Sequence, residues 1–320
     1  MILQFIPSRP ASVMDRLIRS LAGTGVLAVL DLEDGQWDLA DPRQTPALKQ
    51  QARERLLDWS ASGQDGRPPV PPPALRLNPF GSAEFARDLP VARELAATRG
   101  LAMILLPKVD RADTPGHCRQ ALAGHGLPPC DLVPLVESRA GRERLPEIAA
   151  ATREAGGSAV VYGHYDYSLE AGHWPLWSDK DAPFWEFVAG FAATVEAAGL
   201  RYIHPPPPTL HDAPRLATLF QRLQQCCRRE FGLFSAGLSQ TPLLRQLAAR
   251  PPETAPPPTL PAPTPLPQAE KRRLAETTVA LFLQHRHSGL SFSSDPQKHR
   301  FIPPHEYLAA RRFLEEERHG

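Results

Sequence analysis

The sequence predicts an α/β protein, a closed (β/α)8 TIM barrel with a C-terminal helical extension after a proline-rich linker. Eight short apolar or β-branched runs recur along the chain, and amphipathic segments with apolar residues three and four positions apart lie between them. The eight repeats take up about 245 residues, the usual size of such a barrel. A chain of 320 residues, 42% of them hydrophobic, can bury a core of that size.

The elements follow in a regular order. The predicted strands are LQFI (3–6), VLAVLDL (26–32), ALRLN (74–78), LAMILLP (101–107), DLVPLVE (131–137), SAVVYG (158–163), LRYI (200–203) and FGLFS (231–235). The predicted helices between them include TPALKQQARERLLDWSA, SAEFARDLPVARELAATRG, RERLPEIAAATREAGG and APFWEFVAGFAATVEAAG. Gly100, Gly156 and Gly199 predict the ends of three helices. A doubly wound open sheet is the alternative, because alternation alone does not prove closure.

We expect three parts in the chain: the barrel over residues 1–250, the linker over 251–267 and a helical segment over 268–320. The linker, PPETAPPPTLPAPTPLP, contains nine prolines, which exclude a regular helix and favour an extended connector. AEKRRLAETTVALFLQHRHSG and PPHEYLAARRFLEEER predict two C-terminal helices. Two helices are too few for a core of their own, so they should pack on the barrel or on a neighbouring subunit.

Charge and composition exclude several classes of protein. The net charge is +1, from 36 basic and 35 acidic residues, so no global field favours nucleic acid or an anionic membrane as a partner. The N-terminal apolar run is too short for a signal peptide, and no run of about 18 apolar residues predicts a membrane span. We therefore predict a cytoplasmic protein. Cys118, Cys130, Cys226 and Cys227 lack metal-ligand spacing and are predicted to be free thiols.

Polar residues follow five of the predicted strands, where a (β/α)8 barrel places its reactive groups. They are Asp31, Glu33 and Asp34; Arg76 and Asn78; Lys108 and Asp110; Glu137; and His164, Tyr165 and Asp166. Mg²⁺ takes oxygen ligands and is usually held by one or two carboxylates, which Glu137 and Asp166 can supply. Arg76 offers a planar fork to a substrate carboxylate. The sequence therefore predicts a metal site beside a fixed guanidinium.

Each of these residues also has a structural explanation. The alternatives are a salt bridge from Glu137 to Arg139 or Arg76, an N-cap by Asp166, support of Arg76 by Asp31 or Glu33, and neutralisation of the carboxylates by Lys108. The convergence of five polar strand ends on one rim favours a site.

Six segments carry a family resemblance, in order and at the expected spacing. They are FIPSRP, VLDLEDG, LRLNP, ILLPKVD, PLVESRAG and VYGHYDYSLEAG. Together with the C-terminal HRFIPPHEYLAARRFL, they resemble the HpcH/HpaI aldolase and citrate lyase β-subunit family. The resemblance covers nearly the whole chain apart from the linker.

The resemblance implies a Mg²⁺-dependent carbon–carbon lyase, with Mn²⁺ as an alternative ion, acting on a small 2-oxo or 2-hydroxy carboxylic acid or its acyl-CoA. It also implies a homo-oligomer, trimer or hexamer, whose C-terminal segment reaches a neighbour. The implied metal ligands are Glu137 and Asp166, the implied catalytic residues are Arg76, Glu33 and Asp34, and the substrate-binding candidates are Arg76, Arg9, Lys108 and His164. Glu33 and Asp34 fall on the acidic motif that lines or braces the metal pocket.

The sequence departs from the family where CoA and proton transfer are concerned. Pro303 stands where many acyl-CoA lyases of the family have an aspartate, His204 stands where strand seven has an acid, and strand eight reads LFSAGLSQ. The use of a CoA thioester therefore stays open. Candidates for the missing acid–base group are His164, Tyr165, His204, Asp295 and His305.

Two other functions compete with the lyase. One is a non-catalytic binding or assembly subunit that retains the metal pocket, which Pro303 favours. The other is hydrolysis of a thioester by the same metal site.

Overall fold

Eight parallel strands close into a barrel in the described part of the chain. The computed structural model describes residues 1–36, 42–62, 70–209, 212–250, 259–260, 265–284, 291–292 and 301–319. The strands are β1 (Ile2–Ile6), β2 (Val26–Asp31), β3 (Ala74–Arg76), β4 (Met103–Leu106), β5 (Asp131–Val136), β6 (Ala159–Tyr162), β7 (Arg201–His204) and β8 (Gly232–Ser235). Each strand pairs with the next, and β8 pairs with β1. The closed barrel confirms the predicted fold and excludes the open sheet.

Helices follow the strands around the outside of the barrel. They are α1 (Ala11–Ser20), α2 (Thr45–Ala61), α3 (Ala83–Thr98), α4 (Thr114–Gly124), α5 (Arg139–Glu143), α6 (Leu145–Glu154), α7 (His164–Glu170), α8 (Ala182–Ala197), α9 (Ala213–Cys226), α10 (Thr241–Ala248), α11 (Gln268–Gln284) and α12 (Pro304–His319). The segment RERLPEIAAATREAGG, predicted as one helix, is divided between α5 and α6. Pro146 lies at the start of α6, where its missing N–H costs nothing, whereas a continuous helix would place it in the interior.

Both faces of the barrel strands are buried, which explains why the strands read as nearly continuous apolar runs. One apolar cluster fills the inside of the barrel with residues that include Leu3, Val29, Leu105, Val133 and Phe234. A larger cluster lies between the strands and the surrounding helices. The carboxyl ends of the strands are thus fixed to a rigid frame.

A buried polar network joins the ends of β2 and β3 to the helices. Asp88 on α3 is fully buried and accepts hydrogen bonds from the backbone N–H of Asn78, from Asn78 Nδ2 and from Arg53 Nε, each at 2.8 Å. Asn78 Nδ2 also donates to the carbonyl of Leu32 at 2.9 Å. The loops that follow β2 and β3 are therefore tied to one another directly beside the site.

The C-terminal helices pack on the barrel of their own chain. Arg312 Nη1 donates to the carbonyl of Leu169 at 3.0 Å, and Trp174 Nε1 donates to the carbonyl of Lys271 at 3.2 Å. A short antiparallel pair, β9 (Ser291–Phe292) and β10 (Phe301–Ile302), precedes α12. The barrel was one of the two predicted docking surfaces; contact with a neighbouring subunit and the trimer or hexamer stay predictions.

Most of the predicted proline-rich linker, residues 251–258 and 261–264, lies outside the described residues. Leu260, within the linker, packs against the core between the barrel and its helices. All four cysteines are free thiols, as predicted. Among the described helices, none is both long and apolar enough to cross a membrane.

We expect Asp88→Ala to destabilise the protein by about 3 kcal/mol, because it leaves the buried Arg53 guanidinium and the Asn78 N–H short of acceptors. Urea denaturation measures the change. Arg87→Ala removes an exposed ion pair with Glu84 from the same helix and should cost less than about 1 kcal/mol. Equal losses in the two variants would contradict a structural role for the network.

Candidate functional site

The carboxyl ends of the strands carry a cluster with more acids than fixed bases. The acids are Asp31, Glu33, Asp34, Glu137 and Asp166, and the bases among them are Arg76 and Lys108, joined by His305 from α12. Asp31 is the last residue of β2. The other four acids lie beyond the strand ends, in loops or in the first turn of a helix. The sequence predicted that these strand-end residues converge, but it did not predict the approach of His305.

Asp31 and Arg76 form the rigid base of the site. They are partners in the register of β2 and β3, and Arg76 donates from Nε and Nη2 to the two oxygens of Asp31 at 2.7 Å. Asp31 also accepts from the backbone N–H of Glu33 at 3.0 Å and of Gly35 at 2.8 Å. Burial opposes its ionisation, but the charge of Arg76 and these hydrogen bonds hold the pKa of Asp31 below its usual value. Asp31 is thus a charged support for Arg76.

Arg76 is paired with carboxylates at both ends of its guanidinium. The Nε–Nη2 edge is occupied by Asp31, and the guanidinium lies over the ring of Phe5, 4.7 Å from its centroid. Nη1 lies 3.2 Å from Oε2 of Glu33 and 3.2 Å from Oδ2 of Asp34. A substrate carboxylate that binds at Nη1 would therefore have to displace Glu33 or Asp34 from it.

Glu33 is a buried carboxylate with unsatisfied oxygens. It is 3% exposed, and neither oxygen accepts a hydrogen bond from the described residues. Its neighbours are two cationic groups, Arg76 Nη1 at 3.2 Å and Lys108 Nζ at 3.6 Å. Burial, followed by the charge of Asp34, raises the pKa of Glu33 well above its usual value. A buried carboxylate without hydrogen bonds is costly, so this pocket favours a further positive group or donor.

Glu137 is held against the backbone of its neighbours. Its Oε1 accepts a hydrogen bond from the N–H of Lys108 at 2.8 Å. A Cβ at position 163 would overlap Cβ and Oε2 of Glu137, so only glycine fits there. Burial and the charge of Asp166 raise the pKa of Glu137 to about 8.

Lys108 places its ammonium group among the carboxylates. Its φ of 55° is in the left-handed region, which is uncommon for a residue other than glycine. This turn directs its N–H to Glu137, while Nζ lies 2.8 Å from Oδ1 of Asp166 and 3.6 Å from Oε1 of Glu33. Burial opposes the charge, but the carboxylates raise the pKa of Lys108. The neutralising role considered from the sequence is therefore present in the structure.

Asp166 lies in the first turn of α7, and not at its N-cap, which is Gly163. The N-cap explanation of Asp166 is therefore wrong. Its oxygens contact Lys108 Nζ at 2.8 Å and His305 Nε2 at 3.1 Å. Burial would raise its pKa, but His305 and Lys108 together hold the pKa of Asp166 well below its usual value. Asp166 stays charged and faces the cluster.

His305 reaches the cluster from the first turn of α12. It is 7% exposed, and its ring stacks on Tyr165 with centroids 6.3 Å apart and planes at 18°. Ligand atoms of Asp34, Asp166 and His305 lie within 4.8 Å of one another. Burial lowers the pKa of His305, but the contact with Asp166 raises it above its usual value. His305 is an acid–base candidate from the sequence, and within the described residues its Nε2 directly contacts Asp166, a predicted metal ligand.

His164 points into a different environment. Its Nε2 donates to the carbonyl of Trp177 at 2.9 Å, so its Nδ1 accepts from the hydroxyl of Tyr162 at 3.1 Å. Burial lowers the pKa of His164 to about 4, which keeps it neutral. Its hydrogen bonds give it no link to the carboxylates, so its predicted role in substrate binding stays a prediction.

The other candidates are dispersed. His204 is bonded to the hydroxyl of Tyr202 at 2.9 Å, and burial lowers the pKa of His204 to about 3. Arg9 is exposed beyond the end of β1, and Asp295 lies outside the described residues.

A cavity of about 580 Å³ beside Tyr165 is lined by His164, His204 and the C-terminal helices.

The donor set fits a divalent cation. Carboxylate oxygens are the preferred ligands of Mg²⁺ and suit Mn²⁺ as well. The unsatisfied oxygens of Glu33 and the raised pKa of Glu137 both indicate a deficit of positive charge in the pocket. An additional cation would remove that deficit.

Neither the scan against models of protein families nor the search of curated proteins finds a match. Solved structures do match. RipC from Yersinia pestis is 19% identical, with a TM-score of 0.55 over 78% of this chain and 95% of that chain. CitE from Mycobacterium tuberculosis, in complex with magnesium, acetoacetate and coenzyme A, is 21% identical, with a TM-score of 0.56 over 98% and 96%.

A third structure is the citrate lyase β subunit from M. tuberculosis with oxaloacetate and magnesium. It is 22% identical, with a TM-score of 0.54 over 78% of this chain and 96% of that chain. At these identities the comparison shows the fold. The resemblance to citrate lyase β subunits predicted from the sequence is thus confirmed in the architecture of the chain, and the match at 98% coverage takes in the C-terminal helices.

We expect Glu137→Gln to stabilise the protein in chelator at alkaline pH. The unfolded pKa of glutamate is about 4.3 and the folded value is about 8, so the native state binds the extra proton between these values. The contribution of Glu137 to stability is full below about pH 4.3 and is lost as the pH rises through about 8. Glutamine is neutral throughout and can still accept the N–H of Lys108.

The free energy of unfolding is measured by urea denaturation between pH 5.5 and 9. Over this range the free energy of the variant, relative to that of the wild type, should increase by more than about 1.4 kcal/mol, the equivalent of one pKa unit. Exposed Glu143→Gln is the control and should show no such trend. A constant difference between Glu137→Gln and wild type would contradict the raised pKa.

Proposed function

We propose that the chain is a divalent-metal-dependent carbon–carbon lyase or aldolase, using Mg²⁺ or Mn²⁺ and acting on a small 2-oxo or 2-hydroxy carboxylic acid or its acyl-CoA. The observation that carries the proposal is the acidic cluster at the strand ends, with the unsatisfied Glu33 at its centre. It lies where (β/α)8 barrels place their active sites.

Glu137 and Asp166 are the proposed metal ligands. The ammonium of Lys108 contacts Asp166, and the backbone N–H of Lys108 donates to Glu137. The Lys108 side chain is 44% exposed, so the ammonium can move towards solvent as an ion enters. A bound divalent ion would supply Lewis-acid stabilisation of the charge that develops when the carbon–carbon bond breaks or forms. Gly163 leaves room for the Glu137 carboxylate in this position.

Arg76 is the proposed contact for the substrate carboxylate. Its Nη1 end faces the cluster, and Asp31 and Phe5 hold the guanidinium in one orientation. A group held in this way loses little freedom on binding, which favours productive orientation of the substrate. Arg9, exposed beyond β1, is a proposed secondary contact.

Glu33 is the proposed proton-transfer group, and Asp34 braces the pocket beside it. Burial and the charge of Asp34 raise the pKa of Glu33, so its carboxyl group holds a proton more readily than an exposed glutamate and can donate it as a general acid. Its oxygens are free to accept a bond from a substrate hydroxyl or a water. Asp34 contacts the same Nη1 atom of Arg76 as Glu33 does.

Ligands of the similar structures support the substrate class. CitE structures from M. tuberculosis are complexes of magnesium with pyruvate and with acetoacetate, and the citrate lyase β subunit is a complex with oxaloacetate and magnesium. These ligands share a carboxylate and a nearby oxo group. A guanidinium beside a divalent ion could bind such a ligand, with the guanidinium contacting the carboxylate and the ion contacting the oxo oxygen.

The test is a screen of pyruvate, oxaloacetate, glyoxylate and acyl-CoA pairs with Mg²⁺ or Mn²⁺. We expect metal-dependent turnover that falls at least about 100-fold in Glu137→Gln and Asp166→Asn, since each removes a charged ligand. Asp110→Asn, an exposed carboxylate beyond β4, is the matched control and should stay within about twofold.

Metal binding without turnover of any pair would favour the non-catalytic subunit. Free CoA released without an aldehyde or oxo-acid product would favour the thioester hydrolase. Full activity in both ligand variants would refute the site assignment.

A further inference from the structure

The geometry points to a nitrogen ligand at the metal centre. We propose that His305 binds the ion together with Asp34 and Asp166, so that the centre prefers a first-row transition ion such as Mn²⁺ or Co²⁺ over Mg²⁺. The inference rests on the proposed metal site: His305 and Asp34 would join Glu137 and Asp166 as ligands, and the nitrogen ligand would set the preference among ions.

The distances suit a single ion. Nε2 of His305 and Oδ2 of Asp166 are 3.1 Å apart. Two adjacent ligands of an octahedral ion at about 2.1 Å are separated by about 3.0 Å. The ligand atoms of the three residues, with Asp34 included, lie within 4.8 Å of one another, which a small shift of one side chain brings into coordination range.

Glu33 provides an independent indication of a ligand at this place. It is 3% exposed, and its oxygens lack hydrogen bonds from the described residues. The cationic groups nearest to it, Arg76 and Lys108, are the ones that contact Asp34 and Asp166. The carboxylate of Glu33 lies between the Arg76–Asp34 and Lys108–Asp166 ion pairs. From this position Glu33 could contact the ion or a water bound to it.

The C-terminal helix holds His305 firmly in the cluster. The imidazole stacks on Tyr165, and the helix is fastened further along by Arg312, which donates to the carbonyl of Leu169, and by the ring contact of Phe313 with Trp174. A ligand on a packed helix is well preorganised. Metal binding would therefore also fasten the C-terminal segment to the barrel.

An imidazole ligand changes the preference among ions. Mg²⁺ favours oxygen ligands alone, whereas imidazole nitrogen suits the later divalent ions. The competing role for His305 is an ion pair with Asp166 that only fastens the helix. The two roles differ in whether the ring nitrogen is bonded to the metal.

Pulsed EPR of the full chain with one equivalent of Mn²⁺ separates these roles. We expect ¹⁴N modulation from a directly bound imidazole in the wild type, and its loss in His305→Gln, whose amide can still donate to Asp166. Labelling the histidines with ¹⁵N should replace the ¹⁴N pattern, so the wild type alone decides the question if the variant does not fold. His117→Gln, which removes an exposed imidazole, should keep the signal.

Calorimetric titrations give a second readout. In His305→Gln the Kd for Co²⁺ should rise at least about tenfold, while the Kd for Mg²⁺ should change less than about threefold. Bound Mn²⁺ without ¹⁴N modulation in the wild type would overturn the inference and leave the proposed function standing. A wild type that binds no divalent ion would overturn both, and a signal that persists in His305→Gln would overturn the assignment to His305.

Discussion

Repulsion among the carboxylates at the barrel rim is the constraint on which the site depends. Closing eight strands brings five acids to one end of the barrel, and among the described residues Arg76 and Lys108 are the permanently charged cations that contact them. The two cations are used differently. Arg76 is clamped by Asp31 within the sheet, whereas Lys108 reaches in on a half-exposed side chain. The positive charge of Arg76 is therefore held in one position, whereas the positive charge of Lys108 can move relative to the carboxylates.

This division suits a centre that exchanges an ammonium group for a metal ion. The ammonium of Lys108 pairs with Asp166 and lies near Glu33, and under the proposed function it would withdraw as an ion binds. If His305 binds the ion as proposed, metal binding and docking of the C-terminal helices would be energetically coupled. The carbonyl of Pro303, at the position of the family's C-terminal aspartate, accepts backbone bonds at the start of α12, and His305 follows two residues later.

The sequence was a good guide to the barrel and its rim for physical reasons. Strands that are buried on both faces appear in the sequence as long apolar runs. The residues that directly follow each strand lie at the rim of the barrel. Asp31 and Arg76 meet because of strand register. The approach of His305 depends on how α12 docks, which no local pattern encodes. The division of one predicted helix at Pro146 was signalled by the proline itself, but helical periodicity obscured it.

The most direct test of the account is the position of Mn²⁺ in a crystal of the full chain, located by its anomalous scattering. We expect one peak at about 2.0–2.2 Å from carboxylate oxygens of Glu137 and Asp166, with Nζ of Lys108 displaced towards solvent. A map with Lys108 still bound to Asp166 and no peak at the strand ends would contradict it.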